Sequence, residues 1–257
     1  MNRYELNVHN LPRDVAEQDL AGSVVIVIDV LRATSTICQA IASGAREVMP
    51  CLEIDEALAA ADAAGRSSVI LGGERKGGKI PGFDLGNSPS EYTLEAVRGR
   101  KVIITTTNGT RALHFARMAK RVLVGSFLNL SAVVASVRGE ARIDILCAGT
   151  DGQMTMEDFL AAGAIVYGLC QPIGTFCTNW NMNYMAHAAR DEWDLLEFYA
   201  EHTGQKLIEH LAIELQGTQG GSNLLGIGLG RDLVDCAQID RLSVAPALDV
   251  ANWRITA

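Results

Sequence analysis

Three short, unbroken apolar runs constrain this chain most, Val24–Ile28, Val102–Ile104 and Val122–Val124, with a fourth, Ile143–Leu146, interrupted only by Asp144. A strand with one wet face alternates apolar and polar residues, whereas a strand covered on both faces does not. These runs therefore predict central strands sandwiched between helices. Weaker strand signals at Glu47–Met49 and Ser68–Leu71 join them. Helical patterns fall between, at about 35–43, 54–64, 90–98, 110–119 and 130–138, with Gly44 and Gly65 where helix C-termini want a residue of positive φ. The alternation predicts an α/β fold: a three-layer α/β/α sandwich with a mostly parallel or mixed sheet.

After Leu146 the rhythm changes to a helix over about 157–170 and a mostly helical region through about 236. The tail, Leu242–Trp253, can add a final strand, and the glycine-rich Gln216–Ser222 reads as a flexible loop. No Pro- or Ser-rich linker interrupts the 257 residues, so a single domain over 1–257 is expected, or two intimate halves of about 1–140 and 141–257. Val25–Asp29 leading to Ser43-Gly44-Ala45 is faintly echoed by Ile143–Cys147 leading to Ala162-Gly163-Ala164. Close helix packing accounts for the echo better than an ancient duplication.

A net charge of −8 and a pI near 5.1 argue against nucleic acid or an anionic membrane surface as partner. The apolar run Val24–Leu31 is broken by Asp29 and is too short to cross a bilayer. The start, Met1–Glu5, is polar and lacks a signal-peptide core. Six scattered cysteines without a CxxC pair suggest reduced thiols in a cytoplasmic protein and no zinc site.

Candidate chemistry sits at the strand-to-helix turns. Val102–Ile104 runs into Thr105-Thr106-Thr107-Asn108-Gly109-Thr110, whose hydroxyls, amide and glycine suit an anion pocket at a helix start; Thr107 or Asn108 can equally serve as a helix cap. Asp29 ends the first run and needs a partner, either Arg32 or a metal ion, and Thr34, Ser35 and Thr36 repeat the hydroxyl-rich helix entry. Leu71–Lys79 is a glycine-rich, basic loop in which Arg75 can grip an oxyanion bidentately, although it lacks the spacing of a Walker A loop. Asn87 and Ser88 precede Pro89 and Glu91 in the pattern of a capping box. Glu157 and Asp158 fall in a helix's first turn, which the dipole favours and which also suits Mg²⁺ ligands. Cys147, with no arginine closely following, reads as a buried strand residue rather than a nucleophile.

Four such turns on one sheet edge describe a cleft built for phosphoryl chemistry, which needs positioning and charge neutralisation. The segments Ile28–Thr36, Gly73-Glu74-Arg75, Leu85–Pro89, Thr105–Thr110, Cys147-Ala148-Gly149 and Glu157-Asp158 with Ala162-Gly163-Ala164 resemble the 2-phosphosulfolactate phosphatase family. The resemblance implies Mg²⁺-dependent hydrolysis of 2-phospho-3-sulfolactate to sulfolactate and phosphate, on a route to coenzyme M. It also implies a layered fold distinct from haloacid-dehalogenase-type phosphatases, in keeping with Leu31 at the second position of a would-be DxD. The roles expected are catalytic for Asp29, Arg32 and Arg75, and metal-binding for Asp29, Glu157 and Asp158. Thr34, Ser35, Glu74, Asn87, Ser88, Thr106, Thr107, Asn108, Gly109 and Thr110 are expected to bind substrate. A small phosphorylated anion is the expected substrate and a homo-oligomer (dimer) the expected assembly. A non-catalytic sensor of a phosphorylated metabolite is the competing reading. It gains nothing from carboxylates beside its anion site.

Overall fold

Val24–Ile28 forms a strand whose side chains divide between two cores, Val24, Ile26 and Ile28 on one face and Val25 and Val27 on the other. The molecule, a computed structural model, is described over residues 4–172 and 179–257; Met1–Arg3 of the polar start, and Cys177, lie outside that range. Its strands are β1 (Tyr4–His9), β2 (Val24–Ile28), β3 (Glu47–Cys51), β4 (Val69–Arg75), β5 (Gly78–Lys79), β6 (Lys101–Thr105) and β7 (Arg121–Gly125). They continue with β8 (Arg142–Cys147), β9 (Trp180–Met182), β10 (Ala247–Asp249) and β11 (Arg254–Thr256). The helices are α1 (Ala33–Ala42), α2 (Ile54–Ala64), α3 (Leu94–Val97), α4 (Gly109–Phe115) and α5 (Leu130–Val137). After them come α6 (Met156–Cys170), α7 (Tyr184–Thr203), α8 (Leu207–Gly217), α9 (Gln219–Gly226) and α10 (Arg231–Cys236).

Among the described residues the eleven strands make one mixed sheet in the order β5-β4-β6-β3-β11-β10-β7-β2-β8-β1-β9. It consists of two parallel blocks, β4-β6-β3 and β7-β2-β8-β1-β9. The antiparallel hairpin β10–β11 joins them, β10 pairing with β7 and β11 with β3. Helices cover both faces, α5, α6 and α7 with the Val24/Ile26/Ile28 face and α1 and α4 with the other. The sandwich expected from the apolar runs is thus present. Ile28 pairs with Cys147 and with Gly125, which brings the ends of β2, β7 and β8 level, and Thr105 pairs with Gly73, which does the same for β4 and β6. The three antiparallel pairings of the hairpin run the two blocks in opposite senses, so the turns after β2, β4, β6 and β8 share no single sheet edge but meet at one cleft.

Several local expectations need correction. Gln216–Ser222 is not a loop: α8 runs to Gly217, and Thr218 caps α9 by accepting from the Gly221 N–H at 3.1 Å. The glycines serve close approach there, since a Cβ on Gly221 would collide with the Leu215 carbonyl. The helix expected over 90–98 is a 3₁₀ turn, Pro89–Glu91, followed by the short α3 that Thr93 caps. Ser88 forms no capping box; its hydroxyl donates to Asp232 at 2.7 Å, while Glu91 accepts from the Gly86 N–H at 2.8 Å. The tail supplies a hairpin rather than one strand, and Tyr4–His9 is a strand that its half-polar composition hid.

The two Gly-Ala steps have different uses. Gly44 follows α1 at φ +85°, whereas Gly163 lies inside α6, where a Cβ would strike the Ala189 carbonyl of α7. No disulfide joins the described cysteines, and Cys147 is a buried strand residue whose thiol burial pushes well above its usual value. Among the described residues no helix is long and apolar enough to cross a membrane.

Candidate active site

A cleft of about 590 Å³ opens where the turns of the two blocks meet, with Asp29, Arg32, Glu74, Asn87, Thr107 and Asn108 among its walls. Helix α9 closes the far side through Gly220, Asn223 and Leu224. A smaller cavity of about 430 Å³ lies between α5, α6 and α7, lined by Val134, Tyr167 and Trp193, and holds none of the predicted site residues. The chemistry therefore belongs to the strand-end cleft, where open α/β sheets place their ligands.

Asp29 is the carboxylate at the centre. It is 7 % exposed, and its Oδ1 accepts from the Ala33 N–H at 3.2 Å. Burial pushes its pKa up to about 7, the Ala33 N–H holds it back, and the negative charges of Glu74 and Glu157 push it further. Gly109 packs against it, since a Cβ there would stand 2.6 Å from Oδ2. The glycine of the Thr105–Thr110 segment thus gives α4 room to lie over the carboxylate.

Arg32 is not paired with Asp29, as the adjacent sequence had suggested. Its Nη1 lies 2.7 Å from Asp232 of α10, with both side chains almost fully buried. Arg32 also donates to the Ser88 hydroxyl at 3.0 Å and to the Gly77 carbonyl at 2.6 Å. It ties the β2–α1 turn, the β4–β5 hairpin, the Ser88 loop and α10 into one wall. Asp232 had no local signal; only the need of Arg32 for a counterion pointed to such a residue.

The predicted hydroxyls fall into two groups. Thr34 accepts from the Asp29 N–H and donates to the Asp29 carbonyl, and Ser35 donates to the Val30 carbonyl. Thr106 and Thr110 bond each other's backbone. These four hold turns in shape. Thr107 and Asn87 differ: both line the cleft, and Thr107 Oγ1 and Asn87 Oδ1 are buried with no partner. Asn108 also lines the cleft and makes no capping bond, its Oδ1 accepting only a long 3.4 Å bond from the Asp151 N–H.

Arg75 donates to the carbonyls of Glu74 and Leu52 and to the Thr105 hydroxyl, so its guanidinium is engaged with the protein. Glu74 accepts from the Thr107 N–H at 2.7 Å and the Gly77 N–H at 2.8 Å, locking the hairpin to the strand-end loop. Glu157 and Asp158 are both buried in the first turn of α6, and burial raises both pKa values. Asp158 spends its two oxygens on the N–H groups of Val30 and Gly149. Glu157 accepts from the Gly220 N–H at 3.0 Å, while its Oε2 is buried without a partner. Among the described residues no three His, Cys, Asp or Glu side chains gather as a ready-made metal cage.

The sequence model of the family described as 2-phosphosulpholactate phosphatase matches residues 9–250. The chain belongs to that family. It is accordingly an enzyme of the phosphoric monoester hydrolase type. Similar proteins include a probable 2-phosphosulfolactate phosphatase of Symbiobacterium thermophilum, 42 % identical over 89 % of this chain and 92 % of the relative. Proteins of the same name from Pseudothermotoga lettingae and Thermotoga maritima are 38 % and 37 % identical over 94 % and 87 % of this chain, and 94 % and 88 % of their own lengths. The family match spans every residue that lines the cleft, from Asp29 to Ile227.

For this family member, Asn108→Ala separates a helix cap from a substrate contact. A lost cap costs about 1 kcal/mol, but Asn108 makes no capping bond. Its replacement is expected to shift the melting temperature little and to raise KM or lower kcat about tenfold. A clear loss of stability with unchanged turnover per folded molecule would return Asn108 to the role of helix start.

Proposed function

We propose that this chain is a Mg²⁺-dependent phosphatase that hydrolyses 2-phospho-3-sulfolactate, or a closely similar small phosphorylated hydroxy acid. The observation that carries the reading is Asp29, a buried carboxylate at the cleft floor whose neighbouring arginine is bound elsewhere. A carboxylate left without a cation is costly in a fold of marginal stability, and a reacting group or a metal ion accounts for it.

The residues suit Mg²⁺, which keeps water and substrate phosphate in its shell and takes only one or two protein carboxylates. With Asp29 Oδ1 bound to the Ala33 N–H, Asp29 Oδ2 and the unpartnered Glu157 Oε2 are the oxygens left to serve it, and Asp158 fixes Val30 and Gly149 beside them. When bound, the ion supplies charge neutralisation for the phosphoryl oxygens. Thr107, Asn87 and Asn108 offer uncommitted polar atoms to the substrate, and Arg32 and Glu74 hold those walls in place. A pure sensor of anions gains nothing from Asp29, Glu74 and Asp151 lining its pocket.

Release of inorganic phosphate from a panel of phosphorylated hydroxy acids tests the reading. Chelator is expected to abolish release and Mg²⁺ to restore it. Full activity in a demonstrably metal-free preparation overturns the metal assignment, and tight binding without turnover favours the sensor.

A further inference from the structure

We propose that Lys76 reads the sulfonate of the substrate, rather than its carboxylate, at the rim of the cleft, an inference that rests on the phosphatase reading above. Three cationic side chains line the cleft: Arg32, Arg75 and Lys76. Arg32 is held by Asp232, Ser88 and the Gly77 carbonyl. Arg75 is held by the Glu74 and Leu52 carbonyls and the Thr105 hydroxyl. Lys76 makes no hydrogen bond or ion pair with any described residue. Asp29, Glu74 and Asp151 line the same space, so a polyanion entering it meets three carboxylates and one uncommitted cation.

The backbone of Lys76 points the same way. Arg75 pairs with Gly78 across the β4–β5 hairpin, leaving Lys76 and Gly77 as the two turn residues, at φ +53° and +78°. Positive φ at both positions is the signature of a type I′ turn, which favours Asn-Gly and tolerates lysine poorly. A lysine set against the local preference, with a free charge facing a cleft, marks a feature kept for something other than the turn.

The root of this side chain is fixed and its head is free. Glu74 holds the Gly77 N–H at 2.8 Å and Arg32 holds the Gly77 carbonyl at 2.6 Å, while Lys76 itself is exposed. Asp29 lies deep in the cleft and Lys76 on its exposed hairpin, so a phosphate held near Asp29 leaves the carboxylate and the sulfonate of the substrate on the side of the rim. A sulfonate is a fixed, weakly basic charge. A compact ammonium on a flexible stem suits it without the bidentate geometry of an arginine.

The test is Lys76→Asn, which installs the residue the turn prefers and so leaves folding intact. Steady-state kinetics are compared on 2-phospho-3-sulfolactate and on 2-phospholactate, which keeps the phosphate and carboxylate but lacks the sulfonate. The variant is expected to lose about tenfold or more in kcat/KM on the sulfonated substrate, chiefly through KM. On 2-phospholactate it is expected to stay within about twofold of the parent enzyme, with no fall in melting temperature. Equal losses on both substrates place Lys76 at the phosphate or carboxylate and overturn the proposal, as does no loss on either. If the parent enzyme hydrolyses neither compound, the phosphatase reading fails, and calorimetric binding of 3-sulfolactate to both proteins decides on Lys76 by itself. Weaker binding by Lys76→Asn supports the assignment, and equal or absent binding in both proteins removes it.

Discussion

Replacing Asp29 by asparagine is expected to abolish phosphate release and at the same time to raise the melting temperature of the metal-free protein. The two effects share one cause. Burial lifts the folded-state pKa of Asp29 from 3.8 to about 7, so the folded protein prefers the protonated form. Stability from this group is fully present below the unfolded value and is lost as pH rises through about 7. At pH 8 the parent protein bears the whole cost of a buried charge, on the order of a few kcal/mol, and asparagine bears none. In chelator, the parent's melting temperature should fall between pH 5 and 8, with a shallower fall in Asp29→Asn. Turnover should drop on the order of a thousandfold or more, as for loss of a group that acts only in the transition state. A variant that turns over normally places the chemistry on another residue. A melting profile that tracks the parent across pH shows that Asp29 carries no such burden.

Asp232→Ala is expected to have the largest effect on stability. It strands the Arg32 guanidinium, whose side chain is 2 % exposed, with only Ser88 and the Gly77 carbonyl as partners. Removing one member of a buried pair costs about 3–5 kcal/mol, against a total of about 5–15 kcal/mol for a typical domain. Urea unfolding should show the loss as a lowered midpoint with an unchanged slope. The double variant Arg32→Met/Asp232→Leu should recover much of the stability while remaining inactive, because the hairpin and Ser88 lose their shared anchor. Wild-type stability in Asp232→Ala would mean that the pair contributes nothing to the wall it joins.

What the sequence made legible, and what it hid, follows from the range over which each interaction acts. The doubly covered strands were readable because Val24–Ile28 or Val102–Ile104 needs only its own composition to declare burial on both faces. The turns that gather at the cleft were readable for the same reason, each being a strand end followed by a helix start. The Arg32–Asp232 pair joins residues two hundred positions apart, and nothing near Asp232 distinguishes it from a solvated helix acid. Gly220 and Gly221 looked like flexibility because glycine signals both freedom and close approach, and only packing against Glu157 and Leu215 decides which. Ser88 showed the pattern of a cap yet found a better acceptor in α10. Arg75 had the right chemistry for an oxyanion, but its reach to the Leu52 carbonyl and Thr105 depends on how β3, β4 and β6 line up.

The hairpin β10–β11 has a consequence for the order in which the molecule can be completed. It supplies the last strands of the sheet to be synthesised, yet it sits in the middle, between β7 and β3. While a nascent chain is still emerging, the blocks β4-β6-β3 and β7-β2-β8-β1-β9 can each pair internally but expose facing edges, β3 and β7, to one another and to solvent. Asp29 belongs to one block and Glu74 and Thr107 to the other. The cleft is therefore among the final features to form, and a ribosome-bound chain lacking Ala247–Thr256 should remain unable to assemble it however well its halves have folded.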